Sequence, residues 1–187
     1  MRSMLPLFVF AVIMSVPAVA DEMVPVPAFR SAELVGGGVV TVVRGPAQRV
    51  IIVEGSSHIT RISVDRDRQL RIDTCQENCP PNYRLRVVIQ SPDVPALAVQ
   101  GGGVISTAAG FAPQHQLAVA VHGGGKIDAR SVDAASVAAA VDGGGDLLVR
   151  PRASLTAAVN GGGHIRYVGN PAVTSAIHGG GSVSAGY

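Results

Sequence analysis

The chain has 187 residues, with 15 lysines and arginines against 13 aspartates and glutamates, and a formal net charge of +2. That balance excludes the basic footprint of a nucleic-acid or membrane-surface binder. Apolar residues make up 47% of the chain and aromatics only 4%, with no tryptophan. A sizeable core is therefore available, but few of the stacking platforms common in sugar-binding clefts.

Residues 1–20 read as a secretory signal peptide. Arg2 supplies the positive start, Leu5 to Val16 the apolar run, and Ala18-Val19-Ala20 the small-residue cleavage site. The run is too short for a stable transmembrane anchor. No cysteine follows the cleavage site and no twin arginine precedes it, so neither a lipoprotein anchor nor twin-arginine export is expected. The mature chain would begin at Asp21, leaving 21–187 as one domain in the periplasm or outside the cell.

Residues 28–95 are strand-rich but irregular. The segments 39–43, 49–53, 58–64, 69–73 and 83–89 carry β-branched residues between turn residues. This region is expected to join the sheet that follows and to cap its N-terminal end. Arg61, Arg66, Arg68, Arg71, Arg84 and Arg86 form the densest basic group, and acids interleave with them. The alternation predicts outward strand positions on a solvated face. Cys75 and Cys79 are the only cysteines. In an exported protein they predict a disulfide. It would pin a hairpin between strands near Leu70–Ile72 and Leu85–Ile89. Asp73 and Glu77 are too few to make this a metal site.

Six glycine triplets punctuate the chain: 36–38, 101–103, 123–125, 143–145, 161–163 and 179–181. The last five start 22, 20, 18 and 18 residues apart. A period near 20 predicts a solenoid in which each repeat is one coil. Before these triplets stand Val99, Val121, Val141, Val159 and Ile177, each followed by one polar residue. Leu97, Val119, Ala139, Ala157 and Ser175 lie two places further back. This alternation marks a strand with one buried face. After each triplet comes one variable residue and then Ile105, Ile127, Leu147, Ile165 or Val183, which opens a second short strand. Loops with Pro113, Pro151 and Pro171 are expected to return the chain. The triplets are isolated and flanked by β-branched strands, which sets them apart from flexible linkers and from collagen.

The outward positions are small: Ala98, Ala120, Ala140, Ala158 and Ala176, with Ala96, Ala118, Ala138, Thr156 and Thr174 beside them. They predict a smooth, uncharged stripe, where natural sheets usually carry charge. Such a stripe is either covered by another part of the chain or a candidate surface for self-association or for a partner. The C-terminal end, with no evident capping helix, is a second candidate for self-association unless Tyr187 blocks it.

Two polar columns flank the triplets. The first holds Gln100, His122, Asp142, Asn160 and His178. The second holds Val104, Lys126, Asp146, His164 and Ser182. His122, Asp142, Asn160, His178 and His164 are the candidate binding residues, with Ala120, Ala140, Ala158 and Ala176. Adjacent members such as His122 and Asp142, Asn160 and His178, or Asp146 and His164 are close enough to pair. His122 and His178 lie three coils apart, about 14 Å, too far to share a metal. Several lookalikes fail. The two His-Gly-Gly-Gly runs lack the nucleophile elbow of esterases. Gly123 to Lys126 has Ile127 where a P-loop needs Ser or Thr. Asp146 is not repeated in successive coils, as a calcium-binding β-roll requires. No catalytic residue, metal or cofactor is expected.

With Phe29 running to Gly36-Gly37-Gly38-Val39, then Arg49-Val50-Ile51-Ile52-Val53-Glu54-Gly55, Leu70-Arg71-Ile72 and the repeated corners, the chain resembles a known bacterial family. That family is described as "putative auto-transporter adhesin, head GIN domain". The resemblance covers about Phe29 to Ser184. It implies a parallel β-helix-like, all-β solenoid outside the cytoplasm, and it carries no catalytic residue over to this chain. Full triplets throughout and the Cys75/Cys79 loop depart from the family's looser pattern. The chain shows no C-terminal membrane barrel, so it would not be a self-sufficient auto-transporter.

The resulting expectation is an all-β solenoid with Gly-Gly-Gly corners. About five regular coils follow a less regular N-terminal part. Its function would be that of an exported, non-enzymatic binding or structural module of the cell envelope, adhesin-like, with an envelope protein or glycan as partner. The alternative is a polysaccharide-binding or polysaccharide-active β-helix enzyme, an analogy that rests on fold alone. Nucleic-acid binding and stable membrane insertion are not expected.

Overall fold

A computed structural model of the protein describes residues 21–75 and 78–186. The signal-peptide reading, Glu77 and Tyr187 lie outside the described residues. Those described are all-β, and no helix among them is long and apolar enough to cross a membrane.

Fifteen strands join in one hydrogen-bonded sheet. They are β1 (Glu22–Val24), β2 (Ser31–Gly36), β3 (Val39–Arg44), β4 (Arg49–Glu54), β5 (Arg61–Val64), β6 (Gln69–Asp73), β7 (Arg86–Ser91) and β8 (Ala96–Gly101). There follow β9 (Val104–Thr107), β10 (Gln114–Gly123), β11 (Lys126–Gly143), β12 (Asp146–Gly161), β13 (His164–Tyr167), β14 (Ala172–His178) and β15 (Ser182–Ala185).

Two ladders run through the sheet. In the first, β6, β2, β8, β10, β11, β12 and β14 pair in parallel in that order. In the second, β7, β3, β9, β11, β12, β13 and β15 do the same. β11 and β12 are long enough to serve both. The glycine triplets connect one ladder to the other. Gly36 aligns with Gly101, Gly101 with Gly123, Gly123 with Gly143, and Gly143 with Gly161. The first triplet, which the spacing sets apart, thus stands in the same column as the others.

The alternation of the repeats puts the core between the ladders. Leu34, Val99, Val121, Val141 and Val159 align strand to strand and are buried. Val40, Ile105, Ile127, Leu147 and Ile165 do the same on the second ladder. The buried cluster is continuous from Phe29 to Ile165. Each short repeat buries its apolar face against its neighbours and has no core of its own.

The corners are hydrogen-bonded to each other. The Gly144 N–H donates to the Gly123 carbonyl at 3.0 Å, and the Asp146 N–H to the Gly125 carbonyl at 3.0 Å. Gly143 has φ +119°, and a Cβ there would lie 2.6 Å from the Gly123 carbonyl oxygen. A Cβ on Gly145 would lie 2.5 Å from Val121 Cγ1 and 2.6 Å from the Gly125 carbonyl oxygen. The first glycine of a triplet therefore supplies a backbone angle, and the third lets one corner sit on the next. Nothing lies within 4 Å of a Cβ on Gly144, or on any middle glycine.

At the N-terminal end the pairing turns antiparallel. β5 pairs with β6, β4 with β7, and β1 with β4. Residues 49–91 thus extend both ladders beyond β2 and β3. Arg71 and Arg86 face outward, as the alternation predicts. Arg71 bonds Glu33 at 3.1 Å and Asp73 at 3.0 Å, while Arg86 reaches Glu54 at 3.8 Å.

Two local expectations need correction. The Cys75–Cys79 disulfide is present, but the strands around it form no hairpin. β6 pairs with β2 and β5, while β7 pairs with β3 and β4, on the other ladder. The parallel registers to β2 and β3 hold the two strands apart. Pro151 lies in no return loop but inside the unbroken β12, opposite Ala134. The register there shifts between Ala134 and Ser136, and such an irregularity accepts a residue without an N–H. Pro113 and Pro171 do lie in connections, just before β10 and β14.

A polar knot secures the N-terminal loops. The Tyr83 hydroxyl accepts from the Ser56 N–H at 2.9 Å and lies 2.8 Å from the Thr60 hydroxyl, which donates to the Thr74 carbonyl at 3.0 Å. Thr60 is buried. Tyr83→Phe leaves two of these groups short of a partner and is expected to cost about 1 kcal/mol. A urea unfolding midpoint compared with wild type reads this directly.

Candidate functional site

The outer face of the first ladder carries the predicted stripe. Ala98, Ala120, Ala140, Ala158 and Ala176 align residue for residue from β8 to β14. Ala118, Ala138, Thr156 and Thr174 align beside them. Ala140, Ala158 and Ala176 are exposed, while Ala98 and Ala120 are half-buried. No other part of the described chain covers them. The face is not flat: it holds a shallow groove of about 420 Å³ whose lining is almost wholly apolar. Methyl side chains make its floor because the sheet beneath is regular and nothing longer projects from it.

Each border of the groove has its own chemistry. Toward the N-terminal end, Glu33 aligns with Ala98 and closes the alanine column with a charge. Arg71 and Gln69 hold its carboxylate at 3.1 and 3.4 Å. On one flank stand Gln116, Ser136 and Ser154, where the Ser154 hydroxyl donates to Ser136 at 2.9 Å. A second depression of about 470 Å³ opens there, with Arg30 and Val94 at its edge. On the other flank runs the first polar column.

That column is real as a register. Gln100, His122, Asp142, Asn160 and His178 align in succession and all are exposed. Among the described residues no side-chain hydrogen bond joins His122 to Asp142 or Asn160 to His178. The second column is better connected. His164 Nδ1 lies 2.9 Å from the Ser182 hydroxyl. Asp146 takes Arg166 at 3.4 Å rather than His164, although the two backbones are adjacent. A triplet separates the two columns, so His164 does not join His122 and Asp142 in one cluster. Among the described residues, no three His, Cys, Asp or Glu side chains converge as a metal site.

A two-pronged carboxylate–guanidinium contact lies elsewhere. On β11, Arg130 grips Asp128 through Nε at 3.0 Å and Nη2 at 2.7 Å. These bonds hold the Asp128 carboxyl below its usual range, against the opposing effect of partial burial. The pair lies where β11 crosses between ladders and, with Ser106, Thr107, Ser131 and Arg150, lines an open depression of about 380 Å³.

Sequence reasoning missed the charged lip of Glu33, Arg71 and Asp73. The signal was present: Glu33 stands before Gly36 just as Ala98 stands before Gly101. Aligning the first triplet with the other five would have put the glutamate at the head of the alanine column.

No curated protein matches this chain. Among solved structures, it is similar to a putative adhesin from Bacteroides fragilis, with TM-score 0.55 and 17% identity over 89% of this chain and 96% of that one. A putative adhesin from Parabacteroides distasonis aligns with TM-score 0.44 at 16% identity over 89% and 96%. A putative lipid binding protein from the same species aligns with TM-score 0.38 at 14% identity over 90% and 96%. At such identity the Bacteroides fragilis likeness shows a shared fold. Residues 112–171, which hold three of the glycine corners, match the model of the family described as "Putative auto-transporter adhesin, head GIN domain", so the family that the sequence resembles is the one whose model the chain matches.

Proposed function

We propose that this chain is an exported, non-catalytic binding module of the bacterial cell envelope, adhesin-like in use, with the alanine face as its contact surface. The groove of about 420 Å³ on that face carries the reading. An exposed apolar surface rimmed by hydrogen-bonding residues is the usual mark of an interaction site. The occupant that fits is a shallow apolar ridge of another envelope protein, oriented by hydrogen bonds to the flanking Ser136/Ser154 and His122/Asp142/Asn160 rows. In this reading the two ladders are walls of a parallel β-helix-like solenoid, with 21–187 as one domain and 1–20 as its export signal. The adhesin description of the matching family is in keeping with this use.

Beads coated with the protein are expected to be retained by isolated envelope fractions. The double variant Ala140→Glu/Ala158→Glu, with circular dichroism and unfolding midpoint unchanged, should lose that retention. Equal retention by the variant would remove the alanine face from the account.

The second reading, a polysaccharide-active enzyme, rests on the His122/Asp142/Asn160/His178 row and on His164. Incubation with a panel of acidic glycans separates the two. No release of shorter products is expected. Release that disappears in Asp142→Ala would reverse the ranking.

A further inference from the structure

The two ends of the sheet are built differently. At the N-terminal end the outermost strands are β5 and β1, four and three residues long. β5 opens on Arg61, and β1 carries Glu22, which bonds Ser57. Short edges with charges are the ordinary protection against strand addition. At the other end the outermost strand of the first ladder is β14, seven residues long, Ala172 to His178. It lies flush on β12 through seven consecutive register pairs with no bulge. It contains no proline, lysine, arginine or acid. Every residue in it is exposed, including Val173 at 39% and Ile177 at 43%, which occupy the core-facing register of Leu155 and Val159. Among the described residues the apolar interior is thus open at this end, beside a row of backbone groups with no further strand.

We propose that β14 is a dimerisation strand that pairs antiparallel with β14 of a second copy, about a two-fold axis through Ser175. The pattern of the strand is what selects a second copy. An antiparallel pair centred on Ser175 sets Val173 opposite the partner's Ile177, Thr174 opposite the partner's Ala176, and Ala172 opposite the partner's His178. Both core-facing apolar residues then meet apolar residues on the same side of the joined sheet, as directly opposed residues must. The two-fold also brings the open core ends together, with the half-exposed Val183 of β15 beside them. An interface in which one patch meets itself closes at two subunits. Head-to-tail addition would instead bring β14 against the short, charged N-terminal edges and would not close. The alanine face lies on the outer side of the same ladder, at right angles to this contact, and stays open in the dimer.

The experiment is the solution mass of the purified protein over a concentration series, with two variants. Wild type is expected to be a dimer that dissociates on dilution. Ile177→Lys, which puts an ammonium against the partner's Val173, should be monomeric at concentrations where wild type is dimeric. Ser175→Cys, which leaves the fold undisturbed, should form a disulfide-linked dimer on mild oxidation, because residue 175 faces its own copy on the axis. A wild type that stays monomeric throughout overturns the proposal. So does a dimer that survives Ile177→Lys but is lost in Ala140→Glu, which would place the contact on the alanine face. A dimer in which Ser175→Cys fails to cross-link overturns the register.

Discussion

Gly145→Ala is expected to lower the unfolding free energy by about 1–3 kcal/mol, the usual cost of forcing a methyl into a packed interior. The added Cβ would lie 2.5 Å from Val121 Cγ1 and 2.6 Å from the Gly125 carbonyl oxygen. One of these is a buried side chain and the other is backbone in the preceding corner. Neither moves without disturbing its own stack. Gly143→Ala should cost a similar amount for a second reason. Its φ of +119° lies in a region that side-chain-bearing residues rarely adopt, and such strain is worth about 1–3 kcal/mol. The middle residue is the control. Gly144 has open space at its Cβ position and no left-handed φ, so Gly144→Ala should be neutral or stabilise by about 0.4–1 kcal/mol through the unfolded chain. Three thermal unfolding curves decide the matter. In a domain of this size about 1 kcal/mol moves the midpoint by about 2–4 °C. Equal losses at all three positions would mean that the triplet is needed for something other than stacking.

Ile127→Ala should cost more, about 2–5 kcal/mol. Ile127 is fully buried and sits between Ile105 and Leu147 in the second ladder. The neighbouring strands are fixed by their own parallel pairing and by hydrogen bonds at the glycine triplets, so the cavity closes poorly. The same truncation at Val183, half-buried at the open end of the column, should cost well under half as much. Urea midpoints of the two variants provide the comparison. Equal destabilisation would mean that the end of the stack is as tightly packed as its middle.

The regular C-terminal half was legible because each repeat makes the same local demands. Alternation named the buried valines, and the triplet spacing named the register. The structure sets His122 beside Asp142 and Asp142 beside Asn160 in backbone register, with no side-chain hydrogen bond between them among the described residues. The part that escaped depends on contacts distant in sequence. The association of Gly36 with Gly101 spans a long excursion through β3 to β7 with no repeat to announce it. Cys75 and Cys79 suggest a hairpin because short loops usually join neighbouring strands. Which ladder each strand enters is decided by β2 and β3, far upstream. Pro151 reads as a loop residue until its place at a register shift is known. At the candidate site, the alanine identities were plain from sequence. The concavity was not, since no local pattern of residues announces it. The closing charge of Glu33 was hidden for the same reason as Gly36.

An environment-sensitive fluorophore at Ala140→Cys, titrated with isolated envelope fractions, tests the binding face most directly, with an identical label at Asp67→Cys as reference. Asp67 is exposed and lies in the turn between β5 and β6, away from the groove. The account predicts a saturable blue shift at position 140 and none at 67. Binding that leaves the label at 140 unchanged would contradict it.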